Sequence, residues 1–440
     1  MAEPTVEPVA IRTLDDLTHD ELAVLGREYL LAGQLMDRAG MPHLIAAYGR
    51  DVMGAIAIDE WMGASPVYTR RMQQLLRFAN GDVETIFKGM QFDIGAPPEF
   101  MDFRYDVIDA NHGEFWLDHC GALMDVEPMG DEYVTTMCHA IEDPTFDATA
   151  TATSHYARMR PLHRPPRVPA GRDPHCHWTV EINEEFERLP TPEPAEHIAA
   201  TLLAALAIPD LATGTGDDGW NDYTATLDPD LQLEQFSAAT LRALADEICV
   251  QQHLLVMSFL LAIERRYSTE DAVEVGAKQF TGIAGLTAER LRAAFGLGTT
   301  LADIAQVLEL HPAFRPRNYV DFSLNLAAGE EGDAGGDTLT LRLGDCVALA
   351  EVGRDSWITI LADGHDAALQ ATVQAINPCA RVLREQPAEG SVASWSVTIG
   401  DEPAKESSEV GLTRFSTGAD FRFVATPVTL SARLSTPPGR

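Results

Sequence analysis

The sequence repeats itself, and this repeat constrains the fold more than any other feature. A set of residues in the first half recurs, in the same order, 219 residues further along the chain. The matched pairs are Tyr48 with Tyr267, Trp61 with Phe280, Gly63 with Gly282, Arg71 with Arg290 and, after small shifts, segments 116–123 with 342–349 and 177–182 with 394–399. Because chance would hardly preserve that order, the sequence predicts an internal duplication.

Each copy has the same predicted order of elements. The first copy has helical patterns near 18–40, 47–76 and 82–90, a hairpin near 101–108 and 114–120, a helix near 131–142, and strands near 155–163 and 175–182. Helices followed by a β-β-α-β-β block favour an α+β fold with an antiparallel sheet. Two homologous units are expected to pack as a pseudo-twofold pair, because duplicated units tend to use equivalent surfaces, as homodimers do.

The length of the chain agrees with two units. A single hydrophobic core seldom grows beyond about 250 residues, and this chain has 440. The predicted divisions are a first α+β unit at 1–188, a Pro-rich linker with a short helix and a Gly/Asp loop at 189–231, a second, degenerate unit at 232–402, and a C-terminal tail at 403–440.

Charge and hydropathy narrow the range of partners. The formal net charge of −35 argues against nucleic acids and anionic membranes, because both require a basic surface. No apolar run is expected to reach the length of a membrane span, and the first eight residues have neither a basic nor a hydrophobic region. We therefore expect a cytoplasmic protein whose partner is a small-molecule substrate. Assembly into a homo-oligomer is left open.

Reactive side chains are concentrated in the first copy. Three of the six cysteines are Cys120, Cys138 and Cys176, and seven of the thirteen histidines lie between 112 and 177. The second copy keeps Cys346 opposite Cys120. The sequence match otherwise places Ala393-Ser394 opposite Cys176-His177, and Val373-Gln374 opposite Cys138-His139. A fold that forms without these groups in one copy does not need them in the other, so chemistry is the better explanation.

The spacing of these groups suggests a metal site or a cysteine mechanism. On a helix, His139 would share a face with Asp143, and Cys138 with Glu142. Mixed donors of this kind suit zinc or iron, with ligands drawn from His119, Cys138, His139, His175, Cys176 and His177. A bound metal would lower the pKa of its water, and Glu142 or Asp143 would take the proton. Without metal, Cys120 would be the nucleophile and His139 its base.

Strand alternation adds two further expectations. Around Cys176, the histidines at 175 and 177 should point to one side of the strand and the cysteine to the other. The basic strand that contains Arg158 and Arg160 is either a solvated edge or a binding site for a carboxylate substrate. Cysteine also packs well as a small buried residue, so a purely structural role for Cys120 stays open.

Three short motifs carry a family resemblance. They are Leu-Asp-His-Cys at 117–120, Ile-Glu-Asp-Pro at 141–144 and Cys-His-Trp at 176–178. In this order the first copy resembles the aminothiazoline-carboxylate hydrolase-like family. The resemblance implies a small α+β domain that hydrolyses a C–N or C–S bond in a small heterocyclic acid. A tandem pair departs from the single-unit pattern of that family.

Together these observations predict an enzyme, a hydrolase or lyase acting on a small molecule, with its site in the first copy. The competing prediction is a non-catalytic sensor that binds a small molecule or a metal with the same histidines. A third class, an interaction protein without a pocket, is also open.

Overall fold

The computed structural model describes residues 11–327, 338–351, 356–425 and 430. The α-helices in these ranges are α1 His19–Tyr48, α2 Arg50–Leu76, α3 Val83–Gln91, α4 Gly121–Val126, α5 Asp131–Thr135, α6 Glu142–Ala150, α7 Glu193–Ala199, α8 Ala238–Glu264, α9 Thr269–Ala294, α10 Leu301–Leu310, α11 Val347–Ala350, α12 Trp357–Ala362, α13 Ala367–Ile376 and α14 Ser408–Arg414. A π-helical turn, Thr136–Ile141, joins α5 to α6.

The strands form two four-stranded antiparallel sheets and one small hairpin. The strands are β1 Met101–Val107, β2 His112–Cys120, β3 Ala157–His163, β4 Cys176–Ile182, β5 Thr215–Gly216, β6 Gly219–Trp220, β7 Phe322–Ala327, β8 Thr338–Gly344, β9 Ala380–Glu385 and β10 Ser391–Ile399. The first sheet has the order β1-β2-β4-β3, and the second has the corresponding order β7-β8-β10-β9. The chain is therefore α+β, as the sequence predicts.

The long helices begin at strong capping residues. The side chains of Thr18, Ser237 and Ser268 accept backbone N–H groups in the first turns of α1, α8 and α9, as N-cap residues do. Gly49 joins α1 to α2 with a φ of 85°, which a residue with a side chain rarely adopts. Helix α1 packs on α9 and α8, and α2 packs on α8, so the helices of the two halves form one layer.

The buried residues form two cores. The larger core runs through the helical layer of both halves and continues under the second sheet. The smaller core lies between the first sheet and the helices next to it, and it contains Phe115, Trp178 and the thiols of Cys120, Cys138 and Cys176. The cysteines of the first half therefore lie in a core of their own.

Two buried ion pairs connect the halves in a reciprocal way. Arg71 of α2 donates to Glu247 of α8 with distances of 2.6 and 2.9 Å. Arg290 of α9 donates to Glu28 of α1 with distances of 2.6 and 2.8 Å. In each pair the arginine of one half contacts the glutamate of the other half. Both arginines and both glutamates are separated by 219 residues, the period of the repeat.

The segment that follows each sheet packs against the other half of the chain, and it does so in the same way in both halves. Asp125, just after the first sheet's β2, accepts the backbone N–H of Thr417 at 2.7 Å. Glu351, at the corresponding place after β8, accepts the N–H of Leu203 at 2.7 Å. Much of the predicted C-terminal tail is thus part of the packed structure, and α14 lies against α9. Residues 1–10, 426–429 and 431–440 lie outside the described ranges.

Two expectations from the sequence need correction. Helix α8 is long and apolar enough, by length and composition alone, to cross a membrane, so the expectation that no stretch approaches this length is wrong. Of its most apolar window, 94% is buried inside the protein, as in the core helix of a globular protein. The helix predicted to end near 142 continues to Ala150. The π turn ends just before Pro144, whose missing N–H would otherwise break an α-helical hydrogen bond.

Candidate functional site

Three thiols and one carboxyl group meet on the covered side of the first sheet, and we call them the thiol–carboxyl cluster. Cys120 ends β2, Cys138 lies in the π turn, Cys176 begins β4 and Glu142 begins α6. Burial raises the pKa of the Cys120 thiol to about 12 and also raises the pKa of the other two thiols. All three sulfur atoms are therefore protonated at neutral pH.

Glu142 is the group in this cluster that is tuned to titrate near neutral pH. After burial, its negative charge is the largest influence that raises the pKa of each of the three thiols, which places the carboxylate beside them. Burial raises the pKa of Glu142 itself to about 8, against an opposing effect from Arg164. Its Oε2 atom is buried and has no hydrogen-bond partner among the described residues. A buried carboxyl with such a pKa is well suited to exchange protons.

The outer wall of the cluster is an arginine that lies over a tryptophan. The guanidinium carbon of Arg164 lies 5.8 Å from the centroid of the buried Trp178 ring, and its NH1 pairs with Asp143. The Trp178 indole N–H lowers the pKa of the Cys176 thiol, so it faces the sulfur, but it makes no hydrogen bond of normal geometry within the described ranges. Outside this wall, Asp143 and Arg164 border a shallow depression of about 470 Å³.

Contacts in the second sheet identify the equivalent positions there. The backbone N–H of Met159 donates to Asp147 at 2.9 Å, and that of Val382 donates to Gln370 at 3.0 Å. This correspondence matches Asp143 with Asp366, which pairs with an arginine over a tryptophan in the same way. The sequence comparison paired Cys138-His139 with Val373-Gln374, twelve residues beyond the positions that these contacts indicate. That pairing is therefore wrong for this helix.

Apolar side chains also occupy the corresponding part of the second half. Helix α12, which packs on α9 as the π turn packs on α2, contains Leu361. Ala393 pairs with Leu343 in its sheet as Cys176 pairs with Leu117 in the first sheet. Both Leu361 and Ala393 are fully buried. The contact between helix and sheet thus forms without thiols in one half of the chain.

The structure does not bring the predicted histidines into one site. His139 donates from Nε2 to the Pro165 carbonyl at 2.7 Å. His177 lies on the open face of the sheet, with Nε2 2.8 Å from a carboxylate oxygen of Glu114. The expectation that the histidines at 175 and 177 share a strand face is wrong, because β4 begins only at Cys176 and His175 precedes the regular alternation.

The remaining two histidines lie at the edge of the first sheet. His175 is buried, and its Nδ1 accepts the backbone N–H of Cys120 at 3.1 Å. His119 donates from Nε2 to the carbonyl of Gly418 at 2.8 Å. The two rings are 5.8 Å apart between centroids.

The geometry does not support the cysteine mechanism in which His139 is the base. The charge that raises the pKa of the Cys120 thiol is that of Glu142 and not that of His139.

The donors of the thiol–carboxyl cluster are types that zinc accepts. However, no group of three or more His, Cys, Asp or Glu side chains is close enough to hold a metal ion in the part of the chain that the structure describes. The six predicted ligands are instead distributed over the covered face, the edge and the open face of the sheet. We therefore derive no chemical step through a metal.

The two arginines predicted to bind substrate border a surface depression of about 450 Å³. Arg160 donates from NH1 to both carboxylate oxygens of Asp147, each at 2.9 Å. Arg158 donates to backbone carbonyls, including those of Ala157 and Glu187. Arg381 makes the corresponding backbone contacts in the second half. The contacts of Arg158 are therefore those of a residue that fixes the chain after β4.

Sequence reasoning missed a second group of buried acids, in the helical layer. Asp37 of α1 and Glu60 of α2 are buried side by side, and within the described residues neither carboxylate oxygen of Glu60 has a hydrogen-bond partner of normal geometry. Burial raises the pKa of Asp37 to about 6 and that of Glu60 well above its usual range. Tyr68 donates to Asp93 at 2.8 Å nearby, and burial raises the pKa of Asp93 to about 6. Acidic residues within the apolar period of two core helices were the available signal.

No protein-family model, no curated protein and no solved structure matches this chain.

Proposed function

We propose that the first half of the chain is an enzyme, a hydrolase or lyase acting on a small heterocyclic or carboxylate-bearing molecule, with its site at the thiol–carboxyl cluster. The observation that carries this proposal is Glu142. Its Oε2 atom is buried beside three thiols and has no hydrogen-bond partner among the described residues, and the second half packs Ala393 at the position of Cys176. A buried polar atom without a hydrogen-bond partner costs stability, and a functional role would explain why the chain retains it.

The proposed roles follow from the surroundings of each group. Cys120 is the nucleophile, because its sulfur accepts the N–H of Leu123 at 3.3 Å at the start of α4, a contact that favours negative charge on sulfur. The Glu142 carboxylate takes the thiol proton while the sulfur bonds to an electrophilic carbon. The resulting carboxylic acid returns that proton to the leaving group, and water then releases the product.

We further propose that the two halves are a duplication packed as a pseudo-twofold pair, in which the second half stabilises the first. The reciprocal ion pairs and the identical strand orders support this. So does the pair Tyr48 and Tyr267, which are separated by the repeat period and stack on each other with ring centroids 4.0 Å apart. A residue that contacts its own equivalent lies on the axis of a twofold pair.

The roles of Cys120 and Glu142 can be tested without knowing the substrate. The rate at which iodoacetamide alkylates Cys120 is measured by mass spectrometry from pH 6 to pH 10. Assistance by the Glu142 carboxylate makes the rate level off above its pKa of about 8. An unassisted thiol of high pKa instead reacts about tenfold faster with each pH unit throughout this range. In Glu142→Gln we expect the unassisted profile.

Turnover provides the direct test. A panel of small heterocyclic acids is incubated with the protein, and products are followed by mass spectrometry. We expect Glu142→Gln to lower any turnover by about a hundredfold or more. His177→Ser, on the open face, should retain it. Turnover that survives in Glu142→Gln would reject the proposed mechanism.

The metal prediction is tested in the same preparations. Purified protein is analysed for zinc and iron, with Cys138→Leu and His177→Ser as comparisons. Stoichiometric metal that disappears in Cys138→Leu would restore a metal-dependent mechanism at the cluster. Tight binding of a small acid or a metal without turnover would favour the sensor.

A further inference from the structure

A histidine side chain completes the hydrogen bonding at the point where the first sheet ends. The pairing of β2 with β4 stops at Leu117 and Cys176. Beyond it, the backbone N–H of His175 donates to the Leu117 carbonyl at 2.8 Å. The imidazole Nδ1 then accepts the backbone N–H of Cys120 at 3.1 Å. The amide of the proposed nucleophile is thus held by a side chain and not by the strand ladder.

The imidazole is in the state that this contact requires. Burial, together with the positive charge of Arg167, lowers the pKa of His175 to about 4. The ring is therefore neutral at neutral pH, with Nδ1 free to accept a hydrogen bond and the proton on Nε2. A protonated ring would have a donor at both nitrogens and would repel the Cys120 amide.

The second half has no histidine at this place. One residue before Ala393, which corresponds to Cys176, lies the exposed Val392, at a bulge in β10. Cys346, opposite Cys120, caps no backbone N–H in the described part of the second half and is only partly buried. Cys120, in contrast, is buried and accepts the N–H of Leu123. Where the imidazole is missing, the thiol does not point into the start of the following helix.

We propose that His175 is a positioning residue, which holds the Cys120 amide and so directs the Cys120 thiol toward the start of α4 and the Glu142 carboxyl. This inference rests on the proposed function in one respect, the role of Cys120 as the nucleophile. It gives His175 a role other than the metal ligand that the sequence suggests.

Three substitutions separate this role from general packing. In His175→Asn the amide oxygen takes the place of Nδ1, so the acceptor for the Cys120 N–H is retained. In His175→Gln the oxygen takes the place of Nε2, and the acceptor is lost in a side chain of similar polarity. His175→Val introduces the residue type of Val392 in the second half. His177→Asn, on the open face of the same strand, is the control.

The readout is the pH profile of Cys120 alkylation in the full-length chain. We expect His175→Asn and His177→Asn to keep the wild-type profile. We expect His175→Gln and His175→Val to lose the levelling above about pH 8 and to change the rate at pH 8 by about tenfold. If His175→Val fails to fold, the comparison of Asn with Gln still decides.

The outcomes are distinct from those that test the catalytic proposal. Equal behaviour of His175→Asn and His175→Gln overturns the positioning role, as does a wild-type profile in His175→Val. If wild-type protein shows no levelling, Glu142 does not assist Cys120 and the proposed mechanism fails. In that case a difference in rate between Asn and Gln alone still supports the positioning role.

Discussion

Replacing Arg290 with methionine should lower the free energy of unfolding by about 3–5 kcal/mol, because breaking a buried ion pair leaves an uncompensated charge in the core. Arg290 is 3% exposed and holds Glu28 through two hydrogen bonds, with Glu99 a further 2.9 Å from its NH2. Methionine fills much of the volume but neutralises neither carboxylate. The measurement is urea denaturation followed by circular dichroism.

The repeat provides a matched partner for this variant. Arg71→Met removes the reciprocal pair with Glu247 and should cost a similar free energy. Arg422→Met is the control, because Arg422 and its partner Asp420 are largely exposed, and such pairs contribute little to stability. Each buried pair joins both halves, so both core variants should unfold in one transition. Separate unfolding of one half in either variant would contradict the tightly packed pair.

The matched positions in the two halves were readable from the sequence, and so was the α+β class of the fold. Arg71 and Arg290 match at the repeat period, and the structure shows that both are the arginines of cross-half ion pairs. Trp178 and Trp395 occupy the same place in their sheets. These features are predictable because capping, strand alternation and repetition are local properties of the chain.

The site was harder to predict, and two local details explain why. The strand begins at Cys176 and not at His175, so a shift of one residue separated the histidines that alternation had grouped. The π turn changed the spacing of the helix on which Cys138 and Glu142 lie. Neither detail has a clear signature in a single sequence. The residue types were informative, whereas their grouping depended on geometry.

Contacts between residues that are distant in the sequence are the other features that could not be predicted. Asp37 and Glu60 lie on different helices, and nothing in the sequence shows that their carboxyl groups meet. The same holds for the Gly418 carbonyl that accepts from His119 across the two halves. Contacts of this kind follow from how helices and crossing segments pack, and a single sequence contains no direct record of that packing.

Glu60→Gln should raise the free energy of unfolding at pH 8 by about 1–3 kcal/mol and reduce its dependence on pH. Burial and the charge of Asp37 raise the pKa of Glu60 well above its usual range. For an acid whose pKa is raised by folding, the stabilising contribution is complete below the ordinary carboxyl pKa of about 4 and is lost as the pH rises through the folded value. Glutamine cannot ionise, so it avoids that loss.

The substitution keeps the size of the side chain and supplies a donor. A glutamine N–H can donate to the neighbouring Asp37 carboxyl. The second half already has Gln279 at the equivalent position, where it is fully buried and its Nε2 donates to the Met36 carbonyl at 3.1 Å. The uncharged Phe259 of α8 lies beside Gln279, where both approach Gly40. Tyr68 and Asp93, the other titratable groups near the pair, remain in place.

Urea denaturation of wild type and Glu60→Gln at pH 5, 6.5 and 8 measures the effect. The difference between the two proteins should grow with pH, since only the wild type has a carboxyl to ionise at this position. Glu60→Leu is the control, because it has no donor; among the described residues Asp37 then keeps the Trp61 indole N–H at 3.3 Å. It should be less stable than Glu60→Gln at every pH. A gain that is equal at pH 5 and pH 8 would mean that folding does not raise the pKa of Glu60.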